Sequence, residues 1–297
     1  RKALDTKRFI LKSAVSYQKA VFKDSITSIR AYNGNLSILK NISCIGASKL
    51  FSYLAINTFS SIGIEREQSQ NEDKFDFPYV ELSKDSYETF ERIYKEQYDA
   101  KQKDIVDSVK IQQLDELIEN KYDELNEEIC DTLHMQEVEK DLINYTLDIS
   151  MPLITKSNGY KNIFNAIKQD DQQLKEYAQV YIDRFANSFN RSGKRFTIEI
   201  LYSKQVIGMY FKVIDESMFT DEVVFTSDNE NLLPTITALT SQKLTDALFV
   251  QKDVRGFEKE YFYIFKPNEK RLWYKAIAYL DVNEFDDAML RVGRNRE

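Results

Sequence analysis

A long, charged stretch with helical periodicity, residues 83–126, narrows the possible folds of this chain more than any other feature. Its apolar residues recur at spacings of three and four, which places them on one side of an α-helix. They are Tyr87, Phe90, Ile93, Tyr94, Tyr98, Ile105, Val109, Leu114, Leu117 and Ile118. Ser83 precedes them and suits a helix N-cap. The stretch predicts an antiparallel helix pair with its acidic face in solvent, and a helix that binds a partner protein is the alternative.

Weaker signals precede this stretch. Residues 36–57 read as one or two helices with a possible break at Gly46, and Asn33-Gly34-Asn35 is a turn signal. Alternation of apolar and polar residues predicts short strands at 13–17, 20–22 and 28–31.

Beyond residue 126 the periodicity predicts a short helix over 127–133 and a second helix over 137–150. The turn between them holds His134, the only histidine of the chain. No second histidine and no cysteine-rich cluster accompanies it. A turn or capping role is therefore favoured over a metal ligand or a general base.

A domain boundary is predicted at residues 151–159, which contain Pro152 and the turn signal Asn158-Gly159. A strong amphipathic helix follows at 168–190. Strands are predicted at 195–201, 206–214, 223–226, 247–251, 261–265 and 272–280, a turn at 253–258, and helices at 232–245 and 283–290. This order is typical of an antiparallel or mixed sheet with helices on one side.

At 297 residues, these patterns predict an α+β chain of about two domains. A mixed α/β region at 1–82 leads into a helical segment at 83–150 and a C-terminal sheet with helices at 155–297. With only 8 Gly and 4 Pro, the composition argues against a disordered chain or a turn-rich all-β protein. The sequence starts at Arg1 rather than Met, which leaves both a native start and a fragment of a longer protein open.

The two cysteines, Cys44 and Cys130, lie far apart in apolar segments. We expect buried, reduced thiols in a cytoplasmic protein rather than a disulfide. No apolar run reaches the length of a membrane-spanning helix, and the N-terminus lacks the pattern of a secretory signal. The sequence therefore predicts no membrane partner.

Charge is distributed unevenly along the chain. Residues 1–50 contain 10 Lys and Arg against 2 acids, residues 51–150 contain 10 against 25, and the remainder is balanced at 21 against 21. The net charge of −7 alone would argue against binding to nucleic acid. Phosphate contacts need only local positive charge, so the basic N-terminal block keeps that possibility open. A solvated basic face remains the alternative.

The stretch 48–78 reads SKLFSYLAINTFSSIGIEREQSQNEDKFDFP. An apolar helix, then S-S-x-G-I-E-R-E, then F-x-F-P resembles the region beyond the catalytic domain in N6-adenine DNA methyltransferases of restriction-modification and phage-defence systems. Residues 13–26 resemble the strand pair that leads into this helix, and residues 122–131 resemble a helix-turn stretch after the recognition region. The resemblance covers roughly residues 8–150, and it implies that residues 1–82 are a target-recognition region.

The motifs of the methyl-transfer reaction are missing from the sequence. Such an enzyme needs an (N/D)-P-P-(Y/F) loop that holds the flipped adenine, and no proline here is followed by another proline. A glycine-rich loop after a strand is missing too. We therefore expect no cofactor in this chain, and S-adenosylmethionine only if a catalytic domain exists upstream.

Candidate DNA contacts come from two parts of the chain. The first set is Lys7, Arg8, Lys12, Lys19, Lys23, Arg30 and Arg66, which suit phosphates or, for one or two of them, guanine. A structural ion pair is an equal reading for Arg66, which lies between two glutamates. The second set is Lys266, Lys270, Arg271 and Lys275, interleaved with aromatic residues. A hairpin that buries Trp273 in the core is the favoured alternative for this segment.

These observations lead to the hypothesis of a non-catalytic specificity portion that binds double-stranded DNA for a methyltransferase catalytic domain outside this chain. A protein-interaction or scaffold subunit of a bacterial defence complex is the alternative. A nuclease is less favoured, because Glu199 and Lys204 lack the spacing of an acid followed by E-x-K.

Overall fold

A computed structural model of the chain describes residues 9, 13, 15, 16, 21, 28–32, 34–59, 76–101, 108–157, 159–226 and 253–294. The chain divides into two compact units, Arg1–Asn158 and Gly159–Glu297. The division falls within the stretch 151–159 where the sequence predicts a boundary. Helices together with one five-stranded mixed sheet confirm the α+β class.

The first unit is helical over most of its described residues. Its helices are α1 (Leu36–Gly46), α2 (Lys49–Thr58), α3 (Lys84–Lys101), α4 (Ser108–Thr132), α5 (Glu137–Tyr145) and α6 (Met151–Thr155), with a π-helix at Thr146–Ser150. The break expected near Gly46 is confirmed. It falls at Ser48, whose hydroxyl accepts a hydrogen bond from the amide of Phe51 at 3.1 Å and so begins a new helix.

The antiparallel pair predicted from residues 83–126 is confirmed as α3 and α4. The ring centroid of Phe90 lies 4.9 Å from that of Tyr122, and the Gln97 side-chain amide donates to Asp115. Residues later in α3 therefore contact residues earlier in α4, which makes the two helices antiparallel. Ser83 caps α3 as expected, since its hydroxyl accepts from the Ser86 amide at 3.2 Å. The separate helix expected at 127–133 is instead the last part of α4.

The turns of this unit match the sequence signals. Asn35 caps α1 through a hydrogen bond from the Ser37 amide at 3.1 Å, just after Gly34 in the left-handed region at φ 68°. His134 lies in the turn after α4, at φ 54°, which confirms its predicted turn role. Cys44 and Cys130 are both free and buried, also as predicted.

The short strands predicted near the N-terminus do not match the structure at the positions that it describes. Among residues 13–17, 20–22 and 28–31, the described positions lie in no strand. Two described residues pack on the helices instead. Phe9 belongs to the hydrophobic core of the first unit, and the Ser13 hydroxyl donates to the carbonyl oxygen of Ser43 at 2.9 Å. The remaining positions of these predicted strands lie outside the described residues.

Within its described residues, the second unit is a sheet covered on one face by two helices, α7 (Gln172–Phe189) and α8 (Lys275–Arg294). The strands are β1 (Lys194–Tyr202), β2 (Val206–Asp215), β3 (Val223–Thr226), β4 (Val254–Phe257) and β5 (Tyr261–Pro267). Their order is β3-β1-β2-β5-β4, and only β1 and β3 run parallel. The core between sheet and helices is rich in aromatic rings, such as Tyr181 stacked on Phe211 at 4.2 Å.

Two predictions for this unit are wrong. Residues 272–280 are not a strand, because Leu272 ends a short 3-10 helix and α8 begins at Lys275. Residues 253–258 are not a turn, since Val254–Phe257 forms edge strand β4, paired with β5. Helix α7 and strands β1, β2, β3 and β5 match their predictions. The helix expected at 232–245 and the strand at 247–251 lie outside the described residues.

The residue that pairs with Gly208 on β5 leaves no space for a side chain at position 208. It pairs with Phe265, and a Cβ atom built on Gly208 would lie 2.2 Å from the Phe265 ring. The ring therefore occupies the space of a side chain at position 208.

No helix within the described ranges has the length and apolar character needed to cross a bilayer.

Candidate functional site

Most of the predicted N-terminal DNA contacts lie outside the described residues. These are Lys7, Arg8, Lys12, Lys19, Lys23 and Arg66. Arg30 is described, and it is exposed and outside regular secondary structure. Two other cations of the basic block are used within the first unit: Lys40 pairs with Glu91 at 2.6 Å, and the Lys49 ammonium donates to Asn144 at 3.1 Å.

Lys266, a predicted DNA contact, instead lies in the core between the sheet and the helices. Its side chain is only 3% exposed, and its ammonium forms an ion pair with Asp281 of α8. It also donates to the Tyr177 hydroxyl at 3.2 Å and lies 5.6 Å from the centroid of the Trp273 ring. A phosphate in solvent cannot reach this ammonium, so Lys266 is removed from the proposed interface.

Asp281 is the centre of this buried ion cluster. One of its oxygens accepts from Lys266 and from the Tyr177 hydroxyl at 2.5 Å, and the other accepts from Arg255 at 3.2 Å. Arg255 also forms ion pairs with Asp253 and Glu284. These ion pairs extend the cluster from the core to the surface. Each buried charged atom of Lys266 and Asp281 thus has a charged or hydroxyl partner, as a buried ion pair needs.

Burial shifts the ionisation of the groups in this cluster. It lowers the pKa of Lys266 below that of a free lysine, and the attraction of Asp281 opposes the shift. It raises the pKa of Tyr177 and of Tyr181 well above the ordinary value. Both hydroxyls therefore stay protonated, and Tyr177 remains a donor to Asp281. The cluster joins β5, α7, β4 and α8 around one carboxylate.

The other three residues of the 266–275 segment lie nearer the surface. Lys270 is exposed, Lys275 is half-buried at the start of α8, and Arg271 lies 5.0 Å over the Phe164 ring and bonds Glu269 at 2.7 Å. Trp273 is fully buried, as the structural alternative expected. It lies between a 3-10 helix and α8 rather than in a hairpin, and its indole donates to the Pro267 carbonyl oxygen at 3.0 Å.

Sequence reasoning missed the partners of Lys266. Asp281 occupies a position on the apolar face of α8, between Ala278 and Phe285, and a charge on such a face is a signal of a buried pair. Nothing in the local sequence identifies Lys266 as its partner, because the two residues meet only through packing of α8 on β5. Arg255 lies in the segment 253–258, for which the sequence predicts a turn.

The described residues contain no group of three His, Cys, Asp or Glu side chains arranged to hold a metal ion. No protein family, curated protein or solved structure matches this chain.

Proposed function

We propose that this chain is the DNA-binding, target-recognition portion of an N6-adenine DNA methyltransferase-like protein of a restriction-modification or phage-defence system. It binds duplex DNA and selects the site. Methyl transfer from S-adenosylmethionine takes place on a catalytic domain outside this chain. The resemblance of residues 48–78 supplies the enzyme class, and the charge of the N-terminal block supplies the reason for binding DNA.

The charge of this block is the observation that carries the proposal. Of the ten Lys and Arg within residues 1–50, Lys40 and Lys49 interact with side chains of the first unit. The other eight lie within residues 1–30, a stretch with only two acids, Asp5 and Asp24. Such a local excess of positive charge favours phosphate contacts even when the whole chain is acidic.

The acidic helix pair favours a second candidate, a protein-interaction subunit. Residues 51–150 contain 25 acids. On α3, Tyr98 is 62% exposed, and on α4, Val109 is 64% exposed, although both residues belong to the apolar pattern of the stretch. Exposed apolar side chains among acids suit a partner with a basic rim around an apolar surface. In this reading, α3 and α4 bind the partner.

Titration of the chain into a labelled duplex at rising salt tests the proposal. We expect binding at low salt that weakens steeply with salt, as counterion release requires. Replacing Lys7, Arg8, Lys12, Lys19 and Lys23 by Gln should lower the slope of log K against log salt by up to about 4.5, at about 0.9 for each lost phosphate contact.

A control with the same charge change is available on the acidic helices. It replaces the exposed Lys84, Arg92, Lys95, Lys101 and Lys110 by Gln. We expect this variant to bind DNA at least as well as the N-terminal variant binds and to keep the salt slope of the unmodified chain. If the folded, unmodified chain does not bind DNA at low salt, the proposal is wrong and the protein-interaction reading is favoured.

A further inference from the structure

The buried residue Asn268 connects three surface segments at one end of the sheet through hydrogen bonds. The Asn268 amide oxygen accepts from the backbone amide of Ile167 at 2.8 Å, and its amide nitrogen donates to the carbonyl oxygen of Ser203 at 3.0 Å. The backbone amide of Asn268 donates to Gln205 at 2.8 Å. Asn268 is 5% exposed, so these hydrogen bonds are shielded from water.

Further hydrogen bonds tie the same segments together. The Lys270 amide donates to the carbonyl oxygen of Asn165 at 2.9 Å, and the Tyr202 hydroxyl donates to that of Ile167 at 2.7 Å. The Gln173 side chain of α7 donates to the carbonyl oxygen of Lys270 at 2.8 Å. The three segments are therefore connected to one another by hydrogen bonds at this end of the sheet.

Each segment presents one exposed lysine beside these hydrogen bonds. Lys168 follows Ile167, Lys204 lies between Ser203 and Gln205, and Lys270 follows Asn268 by two residues. We call these three residues the Asn268 lysines. All three are exposed, and none forms an ion pair with another described residue. A consecutive Cα step is about 3.8 Å, so each lysine starts within about 8 Å of a residue that Asn268 bonds or of Asn268 itself.

Most of the neighbouring carboxylates have other partners. Asp171 caps α7, with its oxygen 3.0 Å from the Gln173 amide, and Glu269 bonds Arg271 at 2.7 Å. Asp170 is the third acid of these segments, and it is exposed. Three exposed lysines thus stand beside one exposed carboxylate with no such bond. Counted with Arg271, these segments carry four cations and three carboxylates, a net charge of +1.

We propose that the Asn268 lysines bind backbone phosphates of duplex DNA. This inference rests on the proposed function and adds a second contact surface to the N-terminal block. Exposed lysine ammonium groups, as point charges, suit contacts to phosphates, and phosphate contacts carry no sequence information directly. The surface therefore adds affinity and orientation rather than sequence choice.

The experiment compares two triple variants of the full chain. One replaces Lys168, Lys204 and Lys270 by Gln. The matched control replaces Arg191, Lys194 and Lys259 by Gln. These are exposed cations at the opposite end of the sheet: Arg191 precedes β1, Lys194 is its first residue, and Lys259 lies in the β4–β5 turn. Both variants change the charge by the same amount. Binding to a labelled mixed-sequence duplex and to phosphatidylserine vesicles is measured at several salt concentrations.

We expect the Asn268 lysine variant to lower the salt slope on DNA by about two to three, at about 0.9 for each lost phosphate contact, and the control to retain it. If the unmodified chain binds DNA but both variants lower the slope equally, or neither does, the surface is wrong while the proposed function stands. Loss of vesicle binding alone by the Asn268 lysine variant would assign these lysines to lipid and overturn the DNA contact. Absence of DNA binding by the unmodified chain overturns both proposals.

Discussion

Lys266 and Asp281 place opposite charges inside a core that is otherwise aromatic and aliphatic. The cost of removing two charges from water is offset only because each charge keeps its partner and its hydrogen bonds. Loss of one partner is therefore far more damaging than loss of both. The pair also fixes how α8 lies on the sheet, since a slip of α8 along β5 would separate the two charges.

Asp281→Asn should lower the free energy of unfolding by about 3 kcal/mol, because Lys266 would stay buried without its counter-charge. Urea unfolding measures this change. Asp287→Asn, at an exposed position of the same helix, is the control and should change stability by less than about 0.5 kcal/mol.

The double variant Lys266→Met with Asp281→Asn should be more stable than Asp281→Asn alone, because neither charge then remains buried without a partner. Equal stability of the Asp281→Asn and Asp287→Asn variants would contradict the description of Asp281 as the centre of the cluster.

At the scale of elements, the failure at 272–280 has a physical cause. The buried positions of α8 include Ala278, Asp281, Val282 and Phe285, a spacing of three and four that is helical. Asp281 interrupts this pattern when it is counted as polar. The aromatic residues Trp273, Tyr274 and Tyr279 then favour a strand. The helix becomes evident only when Asp281 is recognised as a buried residue, and that depends on Lys266.

The prediction of a turn at residues 253–258 was wrong for a related reason. Asp253 and Gly256 are typical of turns, but pairing with β5 and the ion pairs of Arg255 hold this segment extended. Local preference gave the correct answer where each element carries its own apolar stripe, as in α7 and the α3–α4 pair. Within the candidate site, Lys270 is exposed, as its prediction as a surface contact requires. The burial of Lys266 could not be predicted in the same way, because it depends on contacts with residues remote in sequence.

The start of α3 also depends on a remote residue. One oxygen of Glu128, on α4, accepts from the Ser83 amide at 2.5 Å, and the other accepts from the Ser86 hydroxyl. A carboxylate at a helix N-terminus is stabilising, because it interacts favourably with the free amides and the helix dipole. Glu128 also affects Cys44. Burial, then the charge of Glu128, raises the pKa of that thiol to about 12.

Glu128→Gln should therefore have two effects: a loss of about 1 kcal/mol in the free energy of unfolding and a lower pKa of Cys44. Urea unfolding measures the first. The second is the pH dependence of native-state thiol modification, since the thiolate is the reactive form. Glu124→Gln, exposed on the same helix, is the control and should change neither quantity. Identical behaviour of the two variants would contradict the capping role.

At the scale of the whole molecule, each unit has its own hydrophobic core. The cluster containing Ile129 draws its members from the first unit, and the cluster containing Ile198 and Trp273 draws its members from the second. Trp273 is the only tryptophan of the chain and is fully buried. Its fluorescence therefore reports on the second unit alone.

Ile129→Ala should destabilise the first unit by about 2–4 kcal/mol through the cavity it leaves. We expect its urea transition by far-UV circular dichroism to begin earlier while the Trp273 fluorescence midpoint stays unchanged. Ile198→Ala, equally buried in the second unit, is the matched variant and should shift the fluorescence midpoint. A shift of fluorescence by Ile129→Ala of the same size would mean that the two units unfold as one.

The contact between Gly208 and the Phe265 ring has a consequence for how this sequence can change over time. A mutation that adds a side chain at position 208 collides with the ring unless position 265 has already become smaller. A smaller residue at 265 arising first leaves a void that a β-carbon at 208 can then fill. The two positions therefore form a linked pair with a preferred order of substitution, and lineages of this fold should carry either glycine facing an aromatic residue or two residues of intermediate size.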